Sequence, residues 1–278
     1  MNKLLTWLAV TGMFSHTIHA QSLRIPSPSP TETIRQDFGL STIEISYSRP
    51  GIKGRKIFGD LVPYGKVWRT GANQATTISF GDDVTIGDTK VPAGKYGLLT
   101  VPGTDEWYFI ITRQLDVTNP AAYKIDQDVV RVKVRAQEFP FPIESFSMLF
   151  SNITPTSCDL ALLWDKTLVA LPIKTDIDTK IMAQIDKAQT RDSFPYYTAA
   201  FYYLENKKDL NKAEEWFSKA AQQNPNGFFI YYQKARCEAK LGRKKDAIAT
   251  AQKSIELAKQ AKNDDYVALN EKLIASLQ

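Results

Sequence analysis

Between residues 48 and 73 the chain reads SRPGIKGRKIFGDLVPYGKVWRTGAN. Six basic residues, Arg49, Lys53, Arg55, Lys56, Lys66 and Arg69, stand there against one acid, Asp60, a local net charge of +5. Arginine presents a planar fork of donors suited to a carboxylate or phosphate, and lysine adds a compact charge. Trp68 and Tyr64 offer flat faces to a sugar ring or a cation. Asn73 adds a neutral donor and acceptor. Five glycines punctuate the run. Glycine tolerates positive φ and close backbone approach, so the segment can double back and turn N–H groups into one concavity. One reading is therefore an anion- or glycan-binding site formed by Arg49, Lys53, Arg55, Lys56, Trp68, Arg69 and Asn73. The other is a scaffold, in which the arginines hold a long loop through internal carbonyls and carboxylates and Trp68 anchors it in the core.

Catalytic chemistry has few candidates. The histidines are two, His16 and His19, and both fall in the first twenty residues, MNKLLTWLAVTGMFSHTIHA. That stretch has a charged start at Lys3, an apolar run from Leu4 to Phe14 and a small-residue end at Ala20, the pattern of a secretory signal peptide cleaved before Gln21. Gln21, not a cysteine, stands directly after the cleavage point, so a lipid anchor is not expected. The chain left after cleavage has no imidazole, which excludes histidine-dependent nucleophiles, acid–base catalysis and metal ligation. It has no Gly-x-Ser-x-Gly elbow, no Ser-x-x-Lys and no phosphate loop. Paired carboxylates are the remaining catalytic option: Glu44, Asp60, Asp82, Asp83 and Glu106 are candidates, and a hydrolase of cell-envelope glycans is the alternative reading. Asp82-Asp83 also reads as a turn. Asp126 and Asp128 lack the glycine and terminal glutamate of a calcium loop. No metal and no cofactor are expected.

The elements that must position the basic segment change character along the chain. After the leader, residues 21–30 end in IPSPSP, an extended lead-in. From residue 31 to 172 the apolar period is two. Ile43, Ile45 and Tyr47 alternate with polar residues, as do Trp107, Phe109 and Ile111. Val130, Val132 and Val134 face inward while Arg131, Lys133 and Arg135 form a solvated face. Many short strands separated by Gly, Pro and Asp turns predict an all-β antiparallel sandwich. From residue 175 to 278 the period becomes 3.6 and strand signals stop. Tyr197 and Tyr231, Ala213 and Ala247, Phe217 and Ala251, and Ala220 and Ser254 are each 34 residues apart. Helical hairpins at that spacing resemble tetratricopeptide repeats, with Tyr231, Ala235, Gly242 and Ala247 at that family's positions and a poorer fit in the first unit, where Phe201 replaces a small residue. Such repeats predict an all-α domain that docks a protein partner, with Tyr197, Tyr231 and Tyr232 as groove candidates. Cys158 and Cys237 fall in different domains and read as two buried, unpaired thiols.

The run YSRPGIKGRKIFGDLVPYGKVWRTGANQATTISF, followed by VPAGKYGLLTVPG and the Trp107 strand, resembles the DUF2911 family of exported bacterial proteins over residues ~25–172. The resemblance implies an all-β domain and export to the bacterial periplasm or beyond, and it implies no reaction. The whole therefore reads as an exported binding or scaffold protein without enzymatic activity. Once the leader is removed, 34 basic residues face 30 acidic ones, since Lys3 is lost from the 35. The surplus is local to one segment, so nucleic acid is not an expected partner. No later stretch is long and apolar enough to span a bilayer. Intact-mass measurement of the secreted protein is expected to give a chain beginning at Gln21; a chain retaining Met1 refutes the leader.

Overall fold

The structure, a computed structural model, describes residues 25–190 and 193–278. The leader expected over residues 1–20 and the first part of the expected lead-in lie outside the described residues. Two compact units are present, one ending at Asp176 and the other beginning at Ile177.

The first unit holds ten strands: β1 (Thr31–Phe38), β2 (Ser41–Ser48), β3 (Thr77–Phe80), β4 (Val84–Ile86), β5 (Thr89–Val91), β6 (Gly94–Val101), β7 (Glu106–Thr112), β8 (Asp128–Arg135), β9 (Gln137–Ser151) and β10 (Ser157–Lys174). They form a six-stranded sheet in the order β1-β2-β3-β6-β7-β8 and a four-stranded sheet in the order β5-β4-β10-β9. Every strand pair is antiparallel. The alternation in the sequence is the cause. Ile43, Ile45, Tyr47, Ile78, Phe80, Trp107, Phe109 and Ile111 all bury on one face of the larger sheet. Phe146, Met148, Leu160, Leu162 and Trp164 bury from the smaller one, and the two sets form one core. Arg131, Lys133 and Arg135 are exposed on β8, where Lys133 pairs with Glu106 across the strand boundary at 2.9 Å.

One part of the larger sheet departs from alternation. Residues 97–100 of β6 are buried on both faces. The segment after β7 folds back over the outer face, where Val117 packs with Leu99 and Ile110 and with the partly buried Val67 and Tyr123. This second layer is why β6 and β7 read as continuous apolar runs.

The second unit is helical: α1 (Asp178–Gln189), α2 (Tyr196–Glu205), α3 (Leu210–Gln223), α4 (Phe228–Lys240), α5 (Lys244–Gln260) and α6 (Asp264–Leu277). Successive helices from α2 to α6 pack on one another. The residues 34 apart are nearly all sealed: Ala213, Phe217, Ala220, Ala247, Ala251 and Ser254 are buried. Small side chains let the helix axes approach, and Ser254 uses its hydroxyl to close the contact, donating to the Phe228 carbonyl at 2.7 Å while Asn270 donates to it at 2.9 Å. Gly242 turns α4 into α5 at φ 77, a left-handed value that costs glycine little. The first pair of helices departs at Phe201, which is exposed and stacks on Tyr197, whereas Ala235 at the same offset is buried. The sequence offers Asp178 or Thr179 as the cap of a helix through about Gln189, and Ile177 stands at the cap of α1. The Asp178 carboxylate accepts from Tyr202 Oη at 2.7 Å and Lys208 Nζ at 2.8 Å, tying α1 to α2 and to the turn that follows it.

Cys158 and Cys237 are both unpaired and buried. Burial pushes each thiol up to about 11, so neither is an effective nucleophile at neutral pH. A thiol reagent is expected to titrate no cysteine in the native protein and two after denaturation. Rapid native labelling contradicts this packing.

Candidate functional site

Residues 49–76, between β2 and β3, contain no regular strand or helix. Loops longer than about 12–15 residues without secondary structure of their own are uncommon and are usually functional or disordered. This one is ordered because it is pinned to both sheets. At its start Gly51 bridges Ser145 of β9: Ile52 N donates to Glu144 O at 2.8 Å, and Phe146 N donates to Pro50 O at 2.9 Å. Further on Trp68 bridges Thr100 of β6, with N–H···O contacts of 2.7 and 3.0 Å. Thr70 and Thr100 hydroxyls meet at 3.0 Å beneath it. The loop thus spans the open end between the sheets and plugs it with Ile57, Phe58, Val62 and Trp68, all buried.

Trp68 carries most of this. Its ring stacks on Trp164 of β10 at 5.8 Å and 15°, meets Phe146 edge-on at 5.1 Å and Trp107 at 6.4 Å. Its indole N–H donates to the Gly71 carbonyl at 3.1 Å. Gly71 adopts φ 153, and a Cβ there would lie 3.0 Å from the Ser48 carbonyl oxygen, so no other residue fits without moving backbone. At Gly59, φ 84, a Cβ would come within 2.7 Å of the Tyr64 ring. Two of the five glycines turn their N–H groups to the chain itself and not toward a concavity. Gly59 N and Gly65 N donate to the Val62 and Pro102 carbonyls.

The basic residues separate into two groups. Arg49 faces inward: Nε donates to the Phe146 carbonyl at 3.1 Å, Nη2 to Ser147 Oγ at 2.7 Å and Nη1 to Glu32 Oε1 at 3.3 Å. Tyr47 donates its hydroxyl to the same carboxylate and accepts from Met148 N at 2.8 Å. Burial first, and then the bond to Glu32, push the Tyr47 phenol well above its usual range. Arg49, Glu32 and Tyr47 are thus a strut between β1, β2 and β9. Arg49 and Lys53 border a small hollow of about 260 Å³ together with Glu144.

Arg55, Trp68 and Arg69 converge instead on a second pocket of about 510 Å³. Lys66 joins them, with Leu61, Val62, Pro63, Val67, Pro120 and Trp164 as apolar walls. Arg55 is oriented by the loop itself, donating from Nε to Ile52 O at 3.0 Å and from Nη2 to Gly51 O at 2.6 Å. Arg69 donates from Nη1 to the Thr118 carbonyl. Its Nε is buried with no acceptor among the described residues. No aspartate or glutamate among the described residues lines this pocket. Lys56 and Asn73 lie outside it, both exposed, and Asn73 donates to Ser29 O at 3.0 Å.

The walls were not legible as such. Trp164 reads as a core residue of a strand, which it also is, and Pro120 carries no signal in the sequence. The candidate carboxylates are dispersed. Asp82 and Asp83 make the turn after β3, where Asp83 accepts from Ala93 N at 3.0 Å and pairs with Lys90 at 3.2 Å. Glu106 pairs with Lys133, and none of the five lines the basic pocket. In the helical unit Tyr197, Tyr231 and Tyr232 are half-buried. Tyr197 packs on Phe201, Phe217 and Phe229, Tyr231 on the helical core, and Tyr232 on Tyr266 at 5.5 Å with Arg236 over its ring.

Fold and site together define a two-sheet β unit whose open end is closed by a long basic loop bearing an aromatic-backed pocket, followed by six helices. A family model described as "Protein of unknown function (DUF2911)" matches residues 29–173, and the chain belongs to that family. No curated protein and no solved structure matches it.

Trp68→Ala is expected to destabilise the β unit by about 3–5 kcal/mol through the cavity it leaves, and Arg49→Ala by about 1–3 kcal/mol through its unpaired partners. Denaturant titration followed by tryptophan fluorescence measures both. Near-wild-type midpoints mean the loop is not a structural plug.

Proposed function

We propose that the protein is an exported, non-catalytic binding protein. Its β unit takes an anionic or glycan ligand in the pocket of Arg55, Trp68 and Arg69. Its helical unit, built of tetratricopeptide-like hairpins, docks a protein partner. The observation that carries the first statement is the charge around the pocket: Arg55, Lys66 and Arg69 surround apolar walls with no carboxylate among the described residues to neutralise them. Cations left unpaired beside a concave apolar surface favour a negatively charged occupant. The 34-residue offset of buried small residues and the helix–turn–helix order support the repeat reading. Half-buried tyrosines, Tyr232 among them, suit a protein contact. Export rests on the N-terminal pattern and places these activities in the bacterial periplasm or outside the cell.

Hydrolysis through two carboxylates draws no support from this pocket, whose lining offers cations alone. Among the described residues no group of three or more acidic or thiol side chains is placed to hold a metal ion, and no helix is long and apolar enough to cross a membrane.

The test is binding of anionic envelope fragments to full-length mature protein at two salt concentrations. The Arg55→Ala/Arg69→Ala double variant is expected to lose about tenfold or more in affinity with its melting temperature little changed, and salt is expected to weaken the wild type. Equal binding by variant and wild type refutes the site. In parallel, Tyr232→Glu is expected to release an envelope protein that wild type retains. Retention by both wild type and Tyr232→Glu removes the helical face from the proposal.

A further inference from the structure

The pocket's chemistry narrows its occupant further. We infer that it takes a small organic acid, with one carboxylate on the Arg69 guanidinium and an apolar body against Trp68 and Trp164. This rests on the reading of the pocket as an anion or glycan site, and chooses between the two.

Size comes first. A volume of about 510 Å³ lies within the usual range of pockets for small molecules. Polarity then discriminates. A glycan presents many hydroxyls, and each must find a partner when it leaves water, because burying an unpaired polar group is unfavourable. The pocket offers few. Ser29 supplies its one neutral hydroxyl. The two indole N–H groups are already engaged, Trp68 with Gly71 O at 3.1 Å and Trp164 with Glu144 O at 3.3 Å. Leu61, Val62, Pro63, Val67 and Pro120 present carbon. Such walls favour an aromatic or branched aliphatic body over a sugar.

The charged end is specified by Arg69. Its Nη1 is held by the Thr118 carbonyl, which orients the guanidinium plane. Its Nε is buried and unmatched among the described residues. Nε and Nη2 form the side edge of the guanidinium, whose two parallel N–H groups fit the two oxygens of a carboxylate. An acceptor arriving with the ligand would satisfy the orphaned Nε donor. Lys66 and Arg55 add positive potential at the same pocket and leave the acid ionised.

Calorimetry on full-length mature protein decides this with four probes: naphthalene-2-carboxylate, the neutral naphthalene-2-carboxamide, inorganic phosphate and the neutral sugar diacetylchitobiose. The carboxylate is expected to bind with a dissociation constant of ~1 mM or tighter and the amide at least about tenfold more weakly. Phosphate and the sugar are expected not to compete. Arg69→Gln is expected to bring the acid down to the level of the amide. Should that variant fail to fold, Leu61→Asp serves, since it sets a like charge at an exposed wall residue of the pocket and is expected to abolish binding at an unchanged melting temperature. Equal binding of acid and amide overturns the inference, as does phosphate binding more tightly than the acid. Sugar binding without acid binding overturns it while the broader proposal survives. Failure of all four probes overturns both.

Discussion

The stack of Trp68 on Trp164 is the contact on which the β unit depends. Trp164 belongs to the smaller sheet, and Trp68 is bridged through its backbone to Thr100 of the larger one. One aromatic pair therefore joins a loop to both layers of the sandwich. Phe58, Trp107 and Phe146 surround it edge-on, an arrangement that the ring quadrupoles favour. Without it the long segment between β2 and β3 would lose an aromatic anchor that helps offset the cost of ordering it, about 1–2 kcal/mol of backbone entropy for each residue fixed.

That constraint explains how a structural loop can also line a pocket. The loop is held by its buried residues, Ile57, Phe58, Val62 and Trp68, and by two backbone bridges. Its charged residues are therefore free of the holding role, apart from Arg49, which braces β1 and β9. Arg55 and Arg69 are oriented by carbonyls and not by carboxylates. Carbonyl partners position a guanidinium without cancelling its charge, and the pocket keeps its positive potential. The scaffold role set out in the sequence falls to Arg49 and the buried residues, while Arg55 and Arg69 line the pocket.

Much of the fold was legible in the sequence because it follows from periodicity. Ile43, Ile45 and Tyr47, or Val130 and its exposed arginine neighbours, can bury on one side in only one register. The equal spacing of Ala213 and Ala247 marks two equivalent helix contacts in the same way. Where local signals failed, tertiary packing was the cause. Asp178 resembles a cap but is drawn to Tyr202 and Lys208. Phe201 breaks the repeat because its position in α2 is exposed, so no neighbour demands a small side chain. The buried run in β6 has its second face covered by residues that follow β7, and no local pattern announces that cover.

What the sequence by itself determined is the material: no imidazole after His19, strands and then helices, and a surplus of positive charge in one glycine-rich segment. Composition and period are properties of neighbours along the chain, so they can be read there. Which arginines face solvent and which brace the fold was decided only in three dimensions. Arg49 and Arg55 stand six residues apart, yet one meets Glu32 from the other end of a hairpin and the other meets carbonyls of its own loop. The pocket walls come from positions as distant as Leu61, Pro120 and Trp164. A cavity is a relation among surfaces brought together by chain closure, and no single stretch of residues contains it.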